Sequence, residues 1–156
     1  MSSNSLKVHF DPPTSGWLPV HIETPERELD FLASYIKDSL TDLANALNLI
    51  CNGVSDHTVV WELEPEKMVF SFRSSENNLL TFSVDEHPNR ITSDRLHQKH
   101  IELTDSTVNI CTIFWRALRR LETSKTPDYL SDHWKFPFPS TTVAQLKKCL
   151  SNHNST

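Results

Sequence analysis

Apolar and polar residues alternate with a period of two at the start of the chain. Apolar residues recur at every second position in 6–10 and again in 17–23, the pattern of strands that bury one face. Residues 11–16 contain two prolines and a glycine, which indicates a turn between the strands. The pattern predicts a hairpin with His9 and His21 on its polar face.

The pattern then changes to the three- and four-residue spacing of an amphipathic helix. Thr24 and Pro25 favour a helix start, because a hydroxyl can cap the first turn and proline suits the first helical position. Apolar residues follow at helical spacing as far as Cys51, and Gly53 is the residue type that commonly ends a helix. The spacing predicts one continuous core helix over residues 25–52.

Three further alternating segments occupy residues 58–85 and are separated by short polar turns. They predict an antiparallel meander in which Trp61, Phe70 and Phe82 lie side by side and face the helix. Residues 96–103 alternate weakly, and the sequence leaves open whether they add a further strand.

The last third of the chain predicts two more helices. An apolar stripe indicates a helix that begins at Thr104 or Asp105, and Ser140 is placed to cap a short final helix. The proline- and aromatic-containing segment 124–139 between them is predicted to be irregular. The polar residues 151–156 are predicted to form a frayed tail.

The order of these elements is ββαβββ(β)αα, which predicts an α+β fold. Because consecutive strands join by hairpins, we expect a mainly antiparallel sheet of five or six strands. The helices would pack on one face of it in a two-layer sandwich. No repeat or long linker divides the sequence, so residues 1–156 are expected to form a single domain.

Composition excludes several classes of protein. Two glycines among 156 residues are too few for a Walker A loop, a Rossmann fingerprint or a kinase glycine-rich loop. The three cysteines form no C-x-x-C pair, which argues against a disulfide scaffold or a structural zinc site. The net charge of −5 provides no general basic footprint for nucleic acid. Without a signal-peptide pattern or a long apolar run, the chain is expected to be cytoplasmic and to bind no membrane.

The polar face of the first hairpin is one candidate for chemistry. His9 and His21 would lie close together there, with Glu23 beside them. A histidine next to a carboxylate can act as an acid–base pair or contact a ligand. The same three residues also make an ordinary exposed cross-strand group, and the sequence places no nucleophile near them.

A metal site is a weaker candidate. Asp85 and His87 end the meander, and either His97 or His100 could join them as a ligand. The spacing matches no defined zinc pattern, so we expect solvated histidines, no metal and no cofactor.

Two surfaces are candidates for binding another protein. Glu62 and Arg73 lie on the predicted outer face of the meander. The second surface is the proline-rich segment, whose rigid aromatic residues are of the kind that interfaces use. Its candidate binding residues are Tyr129, Trp134, Phe136 and Phe138. The alternative, which the sequence favours, is a lid that closes the core between the last two helices. In a mixed arrangement Phe136 and Phe138 would point inwards and Trp134 outwards.

These observations favour a small non-enzymatic module that binds another protein. An inhibitor or immunity-type protein is one concrete form, and its acidic charge would steer it towards a basic partner. The alternatives are a small-molecule binder or enzyme built around His9, His21 and Glu23, and a secretion or assembly chaperone. The sequence reveals neither the identity of the partner nor the oligomeric state.

Overall fold

The computed structural model describes residues 6–88 and 98–154. Within these ranges the protein is α+β, with two antiparallel sheets and four helices. The first sheet contains β1 (Lys7–Phe10), β2 (Trp17–Glu23) and β3 (Glu28–Ser34), followed by helix α1 (Ser39–Cys51). The second contains β4 (Asp56–Glu62), β5 (Lys67–Ser75), β6 (Leu79–His87) and β7 (Gln98–Ser106). Helices α2 (Thr107–Ser124), α3 (Pro127–Trp134) and α4 (Ser140–Asn154) follow.

The first hairpin is confirmed, and a third strand extends it. β1 pairs with β2 so that His9 lies opposite His21, and β2 pairs along its whole length with β3. The predicted continuous helix over residues 25–52 is therefore wrong in its first half, because α1 begins only at Ser39. Residues 28–34 alternate between the core and solvent, with Phe31 and Ala33 buried. Pairing with β2 outweighs the helical spacing of their apolar residues.

The second sheet is the predicted meander with one more strand. β4 to β7 pair in sequence order. The segment 96–103, which the sequence left open, contributes to the fourth strand, Gln98–Ser106, while residues 96 and 97 lie outside the described part. Trp61, Phe70 and Phe82 are in contact, with ring centroids 5.3 and 5.2 Å apart. They lie along a diagonal, because Phe70 is directly opposite Val84.

The expected single sheet of five or six strands is wrong, because the described strands form two ladders. β3 occupies the free edge of β2, and α1 separates β3 from β4 along the chain. The two sheets share one hydrophobic core. Phe31 of the first sheet contacts Trp61 and Phe70 of the second, with centroids 6.1 and 6.2 Å apart.

Two expectations near the C-terminus are also wrong. The segment 124–139 contains helix α3, whose first turn is capped by the Thr126 hydroxyl accepting from the backbone N–H of Tyr129 at 3.1 Å. The tail predicted to fray from residue 151 is helical as far as Asn154. A contact of 2.9 Å between Nε2 of His153 and the carbonyl oxygen of Cys51 holds this end against α1.

Candidate functional site

An apolar groove lies on the outer face of the first sheet. The alternation that buries Val20 and Phe31 turns Trp17, Pro19 and Leu32 outwards, and Pro19 lies opposite Leu32 in the register. The groove has a volume of about 560 Å³ and also includes Leu63, beyond the end of β4.

Large apolar side chains near this groove are unusually exposed. Trp17 is 36% exposed, Leu32 53%, Tyr35 44% and Ile36 60%. Gly16 permits the close approach of Tyr35, since a Cβ there would lie 2.6 Å from the Tyr35 ring, and its φ of +90° favours glycine. The exposed apolar residues thus continue from the sheet into the segment before α1.

The rim of the groove is acidic. Asp11, Asp30 and Glu66 line it together with His21, and no lysine or arginine is among its described lining residues. The β4–β5 turn that carries Glu66 is held against β3, because the buried Ser34 hydroxyl donates to the Glu64 carboxylate. An apolar floor and a carboxylate rim are thereby fixed relative to each other.

His21 lies among carboxylates at one end of the groove. Its Nδ1 is 2.6 Å from an oxygen of Asp30, and its Nε2 is 3.4 Å from an oxygen of Glu23. The hydrogen bond to Asp30 is the main cause that raises the pKa of His21 above 6.5, burial acts against it, and Glu23 and Glu28 add to the rise.

The raised pKa of His21 has a defined effect on stability. Because the folded protein favours the imidazolium, this contribution to stability is complete below pH about 6.5 and is lost as the pH rises through the raised pKa.

Of the predicted acid–base group, His21 and Glu23 lie in contact. His9, opposite His21, instead contacts Asp11 at 2.8 Å. The described hydrogen-bond partners of both rings are carboxylates, which favour the charged imidazolium form.

The aromatic residues of α3 and the segment after it pack against the core, as the interpretation of this segment as a lid predicts. Trp134 is 1% exposed, and its Nε1 donates to Oδ1 of Asp38 at 2.9 Å, so its predicted surface position is wrong. Tyr129, Phe136 and Phe138 are half-buried against the core. The rings pack against the hydrophobic core, and Trp134 contacts Asp38 at the start of α1. Removing their apolar area from water stabilises this arrangement.

The outer face of the second sheet carries Glu62 and Arg73, and its described residues include no exposed apolar cluster comparable to that of the groove. Glu62 pairs with Lys67 at 3.0 Å, and Arg73 lies 3.7 Å from Glu102. These pairs neutralise the charges that were expected to contact a partner, although the role of both residues stays a prediction.

Of the residues first considered for a metal, those in the described part of the chain do not form a cluster. His100 contacts Glu86 at 2.7 Å, and His97 lies outside the described residues. In the ranges 6–88 and 98–154, Asp85, His87 and His100 do not bring three ligand atoms within 4.8 Å of one another.

Leu32, Tyr35 and Ile36 are absent from the predicted sites because their helical spacing placed them in a helix. The signal that reveals this part of the groove is the period-two alternation over residues 28–34, which the helical spacing obscured.

No protein-family model matches the chain, and comparisons with curated proteins and with solved structures likewise found no match. None of the helices in the described residues has both the length and the apolar character to cross a membrane.

Proposed function

We propose that this protein is a non-enzymatic binding module that captures a basic protein partner in the groove of the first sheet. The observation that carries the proposal is the exposed apolar floor of Trp17, Pro19 and Leu32 beside the carboxylates of Asp11 and Asp30. This surface replaces the aromatic segment around Trp134 as the centre of the proposed interface.

Apolar exposure favours binding through the floor of the groove. Burying apolar area stabilises an interface by roughly 25 cal/mol per Å², and clustered exposure of this kind often marks an interaction site. Trp17 and Tyr35 are residue types that dominate interface energies when a partner covers them.

Charge selects the partner. The carboxylates of the rim attract a basic surface and accelerate its encounter with the groove. The net charge of −5, which includes these carboxylates, acts in the same direction. An inhibitor of a basic enzyme, as in immunity-type proteins, uses this combination of an apolar centre and an acidic rim. In this proposal the protein acts in the cytoplasm by covering its partner.

A small cationic molecule is the second candidate occupant. The groove volume of about 560 Å³ falls within the range of roughly 300–1,000 Å³ that is usual for ligand sites. His21 and its neighbouring carboxylates would then orient the ligand. An apolar groove also suits a secretion or assembly chaperone, and dimerisation of the free protein would favour that form.

Affinity capture from a lysate of the source cells tests the proposal, with the wild-type protein compared with Leu32→Ser. Leu49→Ser is the matched control, because Leu49 is a similarly exposed leucine (41%) on α1, outside the groove-lining set. We expect wild type and Leu49→Ser to retain one basic partner in stoichiometric amount. Leu32→Ser should weaken its retention at least about tenfold, since a hot-spot side chain contributes about 2 kcal/mol or more and each 1.4 kcal/mol corresponds to about tenfold in affinity.

Salt provides the second arm of this experiment. The affinity should fall as the salt concentration rises, because screening weakens attraction between the rim and a basic surface. Equal capture by Leu32→Ser and wild type, or an acidic partner that is insensitive to salt, would contradict the proposal. Binding of a small cation without any protein partner would favour the second candidate.

A further inference from the structure

A cluster of two thiols and one imidazole lies away from the groove, where α1 and α4 end. The Sγ atoms of Cys51 and Cys149 and a ring nitrogen of His153 all lie within 4.8 Å of one another. Cys51 is the last residue of α1, while Cys149 and His153 are one helical turn apart on α4. Residues four apart face the same side of a helix, so α4 presents both groups to α1.

We propose that Cys51, Cys149 and His153 bind one zinc ion and leave its fourth coordination position open. Two thiolates and one imidazole form a donor set that zinc accepts, and three protein ligands with one open position are typical of its reactive sites. Each thiol releases its proton to solvent when the ion binds, so one zinc ion displaces two protons.

The distances suit a tetrahedral site after a small adjustment. Zinc–sulfur and zinc–nitrogen bonds of about 2.3 and 2.0 Å place tetrahedral ligand atoms roughly 3.3–3.8 Å apart. Because the three ligand atoms lie within 4.8 Å of one another, each pair of them has to approach by at most about 1 to 1.5 Å to bind the ion. Rotation of the half-buried Cys149 and the exposed His153 can supply it without a movement of the helices.

The two helices are already fixed in the orientation that the site needs. One turn before the cluster, the Asn48 amide donates to the carbonyl oxygen of Thr142 at 3.2 Å and to Gln145 at 3.4 Å. α1 and α4 therefore run side by side in the same direction, and both C-termini point to the cluster. Since a helix C-terminus carries partial negative charge, two of them favour a cation at this position.

The contact between His153 and Cys51 also fits a ligating imidazole. Nε2 lies 2.9 Å from the carbonyl oxygen of Cys51. An imidazole that donates through Nε2 carries its lone pair on Nδ1, and metal-binding histidines usually donate their other nitrogen to a carbonyl or carboxylate.

The open position would face a cavity with hydroxyl groups. Cys51 and His153 line a cavity of about 410 Å³ together with Ser74, Ser106 and Thr107. This cavity lets a metal ion enter and leaves room for a water molecule as the fourth ligand.

Metal titration of the reduced, chelator-treated full chain tests the site. Co²⁺ is the optical probe, because thiolate ligation gives a charge-transfer band and tetrahedral geometry gives intense visible bands. Displacement of Co²⁺ by Zn²⁺ then reports zinc affinity. We expect one ion per chain, and we expect His153→Ala and Cys149→Ser each to weaken zinc binding more than about 100-fold, since even residues behind the ligands typically account for 10–100-fold.

Matched variants control for general effects. Cys111→Ala removes a buried thiol that lies near the cluster without belonging to it, and His57→Ala removes an imidazole outside the cluster, so both should bind zinc as wild type does. Because His153 is exposed, His153→Ala should fold normally, which circular dichroism checks. Octahedral Co²⁺ spectra, zinc affinity unchanged in His153→Ala, or a Cys51–Cys149 disulfide that forms in place of metal binding would each overturn the proposal.

Discussion

The contact between Asp38 and Trp134 supports two elements at once and allows a sharp test of the packing. One oxygen of Asp38 accepts from the backbone N–H of Thr41 at 3.3 Å, which caps α1. The same oxygen accepts from Nε1 of the buried Trp134 at 2.9 Å. Replacing Asp38 with alanine therefore removes a helix cap and leaves an indole N–H in the core without this partner.

The expected cost follows from these two losses. An N-cap aspartate contributes about 1 kcal/mol, and a buried donor left without a partner costs about 1–3 kcal/mol. Asp38→Ala should therefore lower the free energy of unfolding by roughly 2–4 kcal/mol. For a chain of this size that corresponds to a decrease in melting temperature of about 4–16 °C.

Urea unfolding followed by far-ultraviolet circular dichroism measures the effect. Asp38→Asn should lose less than about 1 kcal/mol, because the amide oxygen still caps the helix and accepts from the indole. Asp42→Ala is the matched control, since Asp42 is an aspartate on the same helix whose exposed pair with Lys37 at 3.3 Å contributes less than about 1 kcal/mol.

A double-mutant cycle isolates the contact from the cap. Combining Asp38→Ala with Trp134→Phe should give a coupling energy of about 1–2 kcal/mol, because either single change already removes the hydrogen bond. Additive effects of the two changes, or a loss below about 0.5 kcal/mol for Asp38→Ala alone, would refute this reasoning.

Three other outcomes follow from the structure. Phe70→Ala should cost about 3–5 kcal/mol in urea unfolding, because its ring joins the two sheets at the centre of the core; a negligible loss would contradict this packing. Gly16→Ala should weaken partner binding as well as stability, because its Cβ would displace the Tyr35 ring. Gly53→Ala, with positive φ but open space, should affect stability alone. Acidification through the raised pKa of His21 should weaken binding of a basic partner in calorimetry, because a positive charge then forms in the groove, and His21→Gln should abolish this dependence.

The sequence could predict most elements whose hydrophobic period is unambiguous. β1, β2 and the meander follow from alternation, and their antiparallel pairing follows from short polar turns. The α+β class could therefore be predicted from the sequence. The division into two sheets could not be predicted, because it depends on β3, whose apolar residues fit helical spacing as well as alternation.

A short motif that occurs twice in the chain shows why the local sequence pattern is not sufficient to assign secondary structure. Thr24-Pro25-Glu26 and Thr126-Pro127-Asp128 have the same order of residue types, a hydroxyl, a proline and a carboxylate. The first forms the turn between β2 and β3, with Thr24 and Arg27 hydrogen-bonded across it, and the second begins α3. The pairing of β3 with β2 makes the first motif a turn and not a helix start. The three residues of the motif do not by themselves encode that pairing.

The candidate sites also differ in how far the sequence alone could predict them. The proximity of His9 and His21 followed from one hairpin and could be predicted. The groove required β3, and the thiol–imidazole cluster required the packing of α1 against α4, with 97 residues between Cys51 and Cys149. The burial of Trp134 also depends on a distant partner, Asp38.

Hydrogen–deuterium exchange of the protein alone and with its captured partner tests the central claim most directly. If the groove is the interface, backbone amides of residues 17–20 and 30–36 should be protected in the complex. The amides of α4 should exchange at the same rate with and without partner. Protection confined to the outer face of the second sheet or to α3, with residues 30–36 unchanged, would contradict a groove-based binding module.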